Sequence, residues 1–323
     1  SVMARLLCIA LACAALAAGA AEPFPARPVR IVVTNTAGSG ADVVTRLVAD
    51  RLTKLWGQQV VVDNRAGASG NLGAEIVARA APDAYTLLMV NSQHANAAAL
   101  AANGGEPLGY DLARDFSHLT LLASTPLILF VNAGVPAANL RELIALAKAK
   151  PGALNYGTPG TGTASHLATA LFASMTGIDI VHVPYKGTPQ ALTDTMAGQL
   201  QLSVLVATAV IPSLKGGKIR ALGVTSAKRS PLVPELPAVA EAVPGYEWSG
   251  WYGISAPAGL PRAQVAALNA TLLEVLKSAG FRERLLELGA DPRGSTPQDY
   301  SAHIREQIDT MRRVIRLAGI VVQ

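Results

Sequence analysis

The chain has 323 residues, 50% of them hydrophobic and 15% charged, with a formal net charge of +5. That length and apolar fraction suit two domains of ordinary size and exclude a disordered chain. Aromatic residues make up only 5% and the basic residues are scattered, the densest cluster (Arg312, Arg313, Arg316) reading as a solvated helix face, so no nucleic-acid partner is expected.

In chain order, the first feature is a leader. Arg5, the apolar run Leu6–Leu16 and the small residues of Ala18-Gly19-Ala20 follow the three-part pattern of a secretory signal peptide. The run is shorter than the roughly 20 residues of a membrane span. Residues 1–20 are therefore expected to be removed and the mature chain to be periplasmic. Cys8 and Cys13 both lie in this segment. Cys13 has Ala10 where a lipoprotein box favours Leu, so lipidation stays open. A chain cleaved after Ala20 has no cysteine left for a disulfide, a nucleophile or a metal.

Val29–Val33 is apolar at every position but Arg30, as expected of a strand buried on both faces. A small-residue loop follows, then a helix with Val44, Leu47, Val48, Leu52 and Leu55 on one side. Gln59–Asp63 and Tyr85–Val90 read as strands, with a helix between them that Asn71 is placed to cap. The alternation restarts after Leu121: a strand over Pro126–Asn132, a helix capped by Asn139, a strand over Leu154–Gly157, a helix from Thr163, a strand over Ile180–Val183 and a helix opened by Thr188-Pro189. Gln201–Val206 and Arg220–Thr225 are further strands. A Pro-rich stretch runs from Ser226 to Val243. Trp248–Ser255 closes the strands, and Pro261–Leu276 and Thr296–Leu317 read as helices. Strands alternating with helices imply parallel βαβ units. Two such units place loops at the carboxyl ends of their strands, where ligands bind.

Two loops carry candidate chemistry. Ala37-Gly38-Ser39-Gly40 is not a dinucleotide fingerprint, because Val43 stands where a third Gly is needed. It reads either as an anion cradle at a helix start or as a plain turn. Asp42 reads either as a dipole-favoured first-turn acid or as a group that orients the loop amides. Thr161-Gly162-Thr163-Ala164-Ser165-His166 is the second cradle. Ser165 and His166 are adjacent on a helix and point apart, and no Gly-x-Ser-x-Gly elbow surrounds Ser165, Ser69 or Ser39, which argues against a serine hydrolase. The five His residues have no metal-ligand spacing; His182, alternating with Val181 and Val183, reads as a hydrogen-bonded structural residue. Tyr185 and Lys186 face either the cleft or a packed surface.

With these pieces the sequence resembles the Bug-type substrate-binding proteins of tripartite tricarboxylate transporters. The resemblance runs from Pro28 to about Ile320. Its motifs include Ala37-Gly38-Ser39-Gly40-Ala41-Asp42, Val61-Val62-Asp63-Asn64-Arg65-Ala66-Gly67, Ala80-Ala81-Pro82-Asp83, Leu154-Asn155-Tyr156-Gly157, Gly162-Thr163-Ala164-Ser165-His166-Leu167 and His182-Val183-Pro184-Tyr185-Lys186-Gly187. It implies an α/β fold of periplasmic-binding-protein type II, with two lobes of parallel-rich sheet, two crossover strands and a ligand cleft between them. Lobe one is expected over 21–122 plus 226–323, and lobe two over 123–225.

The resemblance further implies a receptor, not an enzyme, that takes a small carboxylate, needs no cofactor or metal and serves transporter membrane subunits as a monomer. Carried over, the ligand-binding residues are Ala37, Gly38, Ser39, Gly40 and Asp42 from lobe one and Thr161, Gly162, Thr163 and His166 from lobe two, with Ser92 as a wall residue. Two departures fall at the specificity end. Asn35 stands where the family often has Phe, and Leu205-Val206 stands where it often has Asp-Asn. An apolar wall there predicts a ligand whose far end is uncharged. A sensory or partner-binding module of the same fold is the alternative reading.

Overall fold

The computed structural model describes residues 24–35, 37–66, 70–161, 163–185 and 188–317. The expected leader 1–20, Gly162 and Lys186 lie outside them. Strands β1 (Val29–Val33), β2 (Val60–Asn64) and β3 (Thr86–Asn91) alternate with helices α1 (Gly40–Trp56) and α2 (Asn71–Ala78), and α3 (Ser92–Ala102) follows. One long strand, β4, then runs from Phe116 to Asn132. Beyond it come α4 (Leu140–Ala149), β5 (Asn155–Thr158), α5 (Ala164–Thr176), β6 (Val181–Pro184), α6 (Thr188–Met196), β7 (Leu202–Val206), α7 (Ala207–Leu214) and β8 (Ile219–Val224). The chain returns through β9 (Ser249–Pro257), α8 (Arg262–Lys277), α9 (Ala279–Glu287), β10 (Asp291–Pro292) and α10 (Pro297–Leu317).

The strands join in one sheet of order β2-β1-β3-β9-β4-β7-β5-β6, with β8 and β10 also paired to β4. β1 lies between parallel β2 and β3, and β5 between parallel β6 and β7. β9 is antiparallel to both β3 and β4, so β4 runs in the sense of β3. β7 is antiparallel to β4. The two parallel sets therefore run in opposite senses, and their carboxyl ends meet beside the middle of β4. Asn91 at the end of β3 is level with Tyr252 and Ala123, and Val206 at the end of β7 is level with Leu127.

The sequence pattern finds only the second part of β4. Phe116–Thr125 is rich in Ser, His and Thr, and the pairing with β9 shifts register between His118 and Thr120 and again between Leu121 and Ala123. Such bulges break the period-two alternation on which strand reading depends. The polar side chains are accommodated by partners. His118 Nδ1 lies 2.9 Å from Ser255 Oγ, and Arg293 donates to Ser124 Oγ at 2.8 Å.

Each half of the sheet is covered on both faces. Val29, Ile31 and Val33 of β1 pack with Val44, Val48 and Leu52 of α1 and with Leu268 and Leu272 of α8. Val32, Leu88 and Val90 face Tyr300 and Ile304 of α10. In the second half Leu127, Leu129 and Val131 pack with Leu143, Leu167 and Phe172, while Ile128 and Phe130 pack with Leu205 and Val210. Burying a large aliphatic side chain contributes roughly 1.5–3 kcal/mol, so these layers fix the strand ends that carry the loops.

Two segments cross the expected division. Val239, Val243, Tyr246 and Trp248 join the Leu127–Phe172 cluster, and Tyr246 donates its hydroxyl to Ala168 O at 3.0 Å. The Pro-rich stretch thus packs on the second half, although the strand pattern groups it with the first. Met311, Val314 and Ile315 join the same cluster, so α10 lies across both halves.

Candidate functional site

The first cradle follows β1. Thr34 is buried, with its hydroxyl 3.2 Å from His94 Nε2. Ser39 caps α1, accepting the Asp42 N–H at 3.3 Å. Gly38 takes a positive φ of 82° that glycine adopts without strain. The helix end leaves the N–H groups of Gly40 and Ala41 directed out of the first turn, at the positive pole of the dipole.

Asp42 holds this loop in shape. Its carboxylate is 2% exposed and accepts from the Gly38 N–H at 2.8 Å, from Asn64 Nδ2 at 2.9 Å and from Arg46 Nε at 3.0 Å. Asn64 also donates to Asn35 O at 3.1 Å, so both ends of the loop are tied to β2. Burial by itself raises the Asp42 pKa, but the bonds from Arg46, Gly38 and Asn64 outweigh it and the net shift is downward. The carboxylate is ionised and neutralised by Arg46, and it orients amides rather than facing a ligand. Asn35, expected as a polar ligand contact, has its amide engaged: Nδ2 donates to Gln93 Oε1 at 3.0 Å, and Oδ1 accepts from Asn91 at 2.8 Å. Ala37, Gly38 and Gly40 are exposed and Ser39 half-buried.

The second cradle follows β5. Thr163 caps α5; its hydroxyl donates to Gly160 O at 2.7 Å and accepts the His166 N–H at 3.4 Å. Its one proton is therefore spent on the loop, and it acts by shaping the cradle. Thr158 Oγ1 lies 2.7 Å from His182 Nε2 and accepts the Gly160 N–H at 3.2 Å. His182 is thus hydrogen-bonded, as its place in the strand suggests. His166 is buried and stacks on His182. Thr161 is exposed at the loop tip. Tyr185 donates to Asp194 Oδ2 at 2.7 Å, a packing role.

Between the cradles lies the middle of the sheet. Ser92 opens α3 beside Gly250 and Thr125; Thr125 Oγ1 fills the space a Cβ on Gly250 would need, and Ser92 Oγ lies 3.8 Å from that point. The expected apolar wall is half as large as the sequence suggests. Leu205 is fully buried with Ala207, Val210 and Ile219, because the alternation of β7 turns it into the core, whereas Val206 at the strand end is 41% exposed. The structure therefore brings together Ala37, Gly38, Ser39, Gly40, Ser92, Thr161, Thr163 and Val206 around the facing strand ends. Asp42, Asn35 and His166 stand behind them, and Leu205 is apart. Sequence reading misses Asn64, Arg46, Thr125 and Thr158. Of these Arg46 and Asn64 lie in recognisable motifs, and the service of Asn64 to a loop on another strand has no local signature.

Among the described residues no group of three His, Cys, Asp or Glu is placed to hold a metal ion. Among the same residues no helix is long and apolar enough to cross a membrane.

Two α/β halves that share a long strand, with small-residue loops meeting at opposed strand ends, define a two-lobed solute-binding receptor. The chain belongs to the tripartite tricarboxylate transporter family receptors, whose family model matches residues 44–320. Members of this family are periplasmic receptors that work with transporter membrane subunits. Protein BugT of Bordetella pertussis is 34% identical over 98% of this chain and 98% of its own. Among solved structures, Rpa4515 of R. palustris with adipate is 39% identical, with a TM-score of 0.68 over 93% of this chain and 100% of that one. MatC of Rhodopseudomonas palustris with bound malate is 32% identical, with a TM-score of 0.64 over 90% of this chain and 100% of that one.

Proposed function

We propose that this chain is an exported, monomeric receptor that captures a small carboxylate between two lobes and delivers it to a membrane transporter, without catalysing a reaction. The observation that carries this reading is the pair of cradles, Ala37–Gly40 and the loop of Gly160, Thr161 and Thr163, at opposed strand ends beside the middle of β4. Each presents helix-end N–H groups and hydroxyls, which suit a carboxylate oxygen. No Arg or Lys stands in either loop, so the ligand charge is met by amides, hydroxyls and helix dipoles. The relatives that hold adipate and malate support a carboxylate of that size. The first lobe comprises 21–122 and the chain from Ser249, and the second 123–225, with 226–248 packed on the second.

A thermal-shift screen of the mature protein against short mono- and dicarboxylates, adipate and malate among them, tests the reading. A raised melting temperature with at least one of them, and no turnover of generic esters, is expected. No shift with any carboxylate, or ester hydrolysis that depends on Ser165, counts against it. Export is tested separately: a periplasmic protein should begin near Ala21, and mass spectrometry that finds Arg5 retained there contradicts it.

A further inference from the structure

Tyr252 lies on β9, level with Asn91 of β3 and Ala123 of β4, where the opposed strand ends meet. Its neighbour Trp251 turns to the far face and packs with Tyr300 and Ile304. Alternation therefore sends Tyr252 to the face that carries α1, where it packs against the Val44–Leu52 layer. Its hydroxyl oxygen stands 2.6 Å from the point that a Cβ on Gly40 would occupy. Real Cβ atoms do not approach so closely, so glycine at position 40 makes room for this phenol.

The Tyr252 O–H thus stands beside the first residue of α1, whose end also carries the N–H groups of Gly40 and Ala41. Burial raises the phenol pKa, so the group is protonated at neutral pH. Tyr110, Tyr185 and Tyr246 donate to Asn71, Asp194 and Ala168. Tyr252 has no such acceptor among the described residues; neither has Tyr300, but its hydroxyl is enclosed in the core, whereas that of Tyr252 stands at a helix end. Donors gathered without an acceptor fit an oxyanion, and a phenol offers it a neutral hydrogen bond that costs no buried charge.

We propose that Tyr252 is a ligand-binding residue whose hydroxyl donates to the carboxylate seated on the α1 end, closing the first cradle from the sheet side. This rests on the carboxylate-receptor reading above. It also gives Gly40 a task, since its missing Cβ admits the phenol.

Calorimetry of wild type and Tyr252→Phe, with adipate, malate and a series of short straight-chain carboxylates as probes, tests it. The variant should bind about tenfold or more weakly any probe that wild type binds, with the ligand-free melting temperature little changed. Gly40→Ala supplies a second arm. Its Cβ displaces the phenol, so affinity should fall in the wild-type background and fall little further in the Tyr252→Phe background. Equal affinity of wild type and Tyr252→Phe, or fully additive losses in the double variant, overturns the assignment and leaves the receptor reading standing. Failure of wild type to bind any probe overturns that reading, and the Tyr252 assignment with it. Should Tyr252→Phe not fold, full affinity in Gly40→Ala overturns the assignment alone.

Discussion

The imidazoles of His166 and His182 lie face to face, with centroids 4.1 Å apart and planes within 11°. Tyr156 extends the stack on the other side of His182 at 5.0 Å. The pair sits directly behind the second cradle, since His182 bonds Thr158 and the His166 N–H meets the Thr163 cap. Burial pushes the His182 pKa down to about 4, and His166 beside it adds to the effect. Burial also lowers His166 and takes the enclosed His94 and His118 to about 4.

These shifts set an acid limit to stability. A histidine whose folded pKa lies below its free value of 6.5 binds more protons when unfolded, so stability rises with pH across the interval between the two values. It is fully present above about 6.5 and is lost progressively toward about 4. Melting temperatures measured from pH 7.5 down to 4.5 should fall steadily over the lower part of that range. His182→Phe, which keeps a ring in the stack, should flatten the slope. An unchanged slope in that variant would show that His182 contributes nothing to the acid limit.

Asp42→Ala removes the acceptor of three donors at once, leaving the Gly38 N–H, Asn64 and Arg46 without it. A destabilisation of about 2–4 kcal/mol is expected, together with weaker carboxylate binding because the loop amides lose their orientation. Asp42→Asn should lie between this variant and wild type. Because its folded pKa is lowered from 3.8, the Asp42 contribution holds at neutral pH and disappears only as pH falls through that lowered value. Urea denaturation and calorimetry on the same samples separate the two effects. Full affinity in a destabilised Asp42→Ala would show that the loop keeps its shape unaided.

Leu205 and Val206 are adjacent in sequence and should behave oppositely. Leu205→Ala opens a cavity in the second half and should cost about 2–5 kcal/mol, with ligand preference unaltered. Val206→Ser changes an exposed position and should cost under about 0.5 kcal/mol, while shifting preference toward ligands with a polar far end. Competition binding with a matched pair of apolar and hydroxylated carboxylates reads this out. The reverse pattern would place Leu205 in the cleft.

Thr163→Ala should cost about 1 kcal/mol of stability through loss of a helix cap. Its effect on binding should come through the loop, because the hydroxyl proton is already donated to Gly160 O. Thr163→Ser retains both bonds and should restore stability and affinity together. If the serine variant restores stability alone, the threonine methyl contacts the ligand.

Much of this arrangement is legible from residue patterns. β1 is read to the residue because both its faces are covered and every position but Arg30 is apolar. Thr163 and Asn139 mark their helices because a side-chain oxygen before an apolar period has one common use. Asn71 misleads: Gly70 in a left-handed conformation precedes α2, and the Asn71 side-chain Oδ1 accepts from the Tyr110 hydroxyl instead. The two cradles are visible as small-residue loops after apolar runs. What escapes is anything settled between distant segments. Asn35 looks available until Asn91 and Gln93 close on it, and Leu205 looks like a wall until the phase of β7 is known. Nothing near Tyr252 announces that it stands over Gly40.

β4 is a single uninterrupted backbone whose first part ladders with β9 and whose last part ladders with β7 and β8. Inside-outside parity is therefore common property of both halves. One residue inserted near Thr125 would exchange the inward and outward faces of everything downstream in that strand, sending Leu127, Leu129 and Val131 to the side now held by Ile128 and Phe130. The second half would then have to re-sort its cores or detach from the first. Length is consequently frozen at the waist of the molecule while the surface loops on either side remain free to vary, so new ligand preferences should arise by substitution at the waist and by insertion only at the rims.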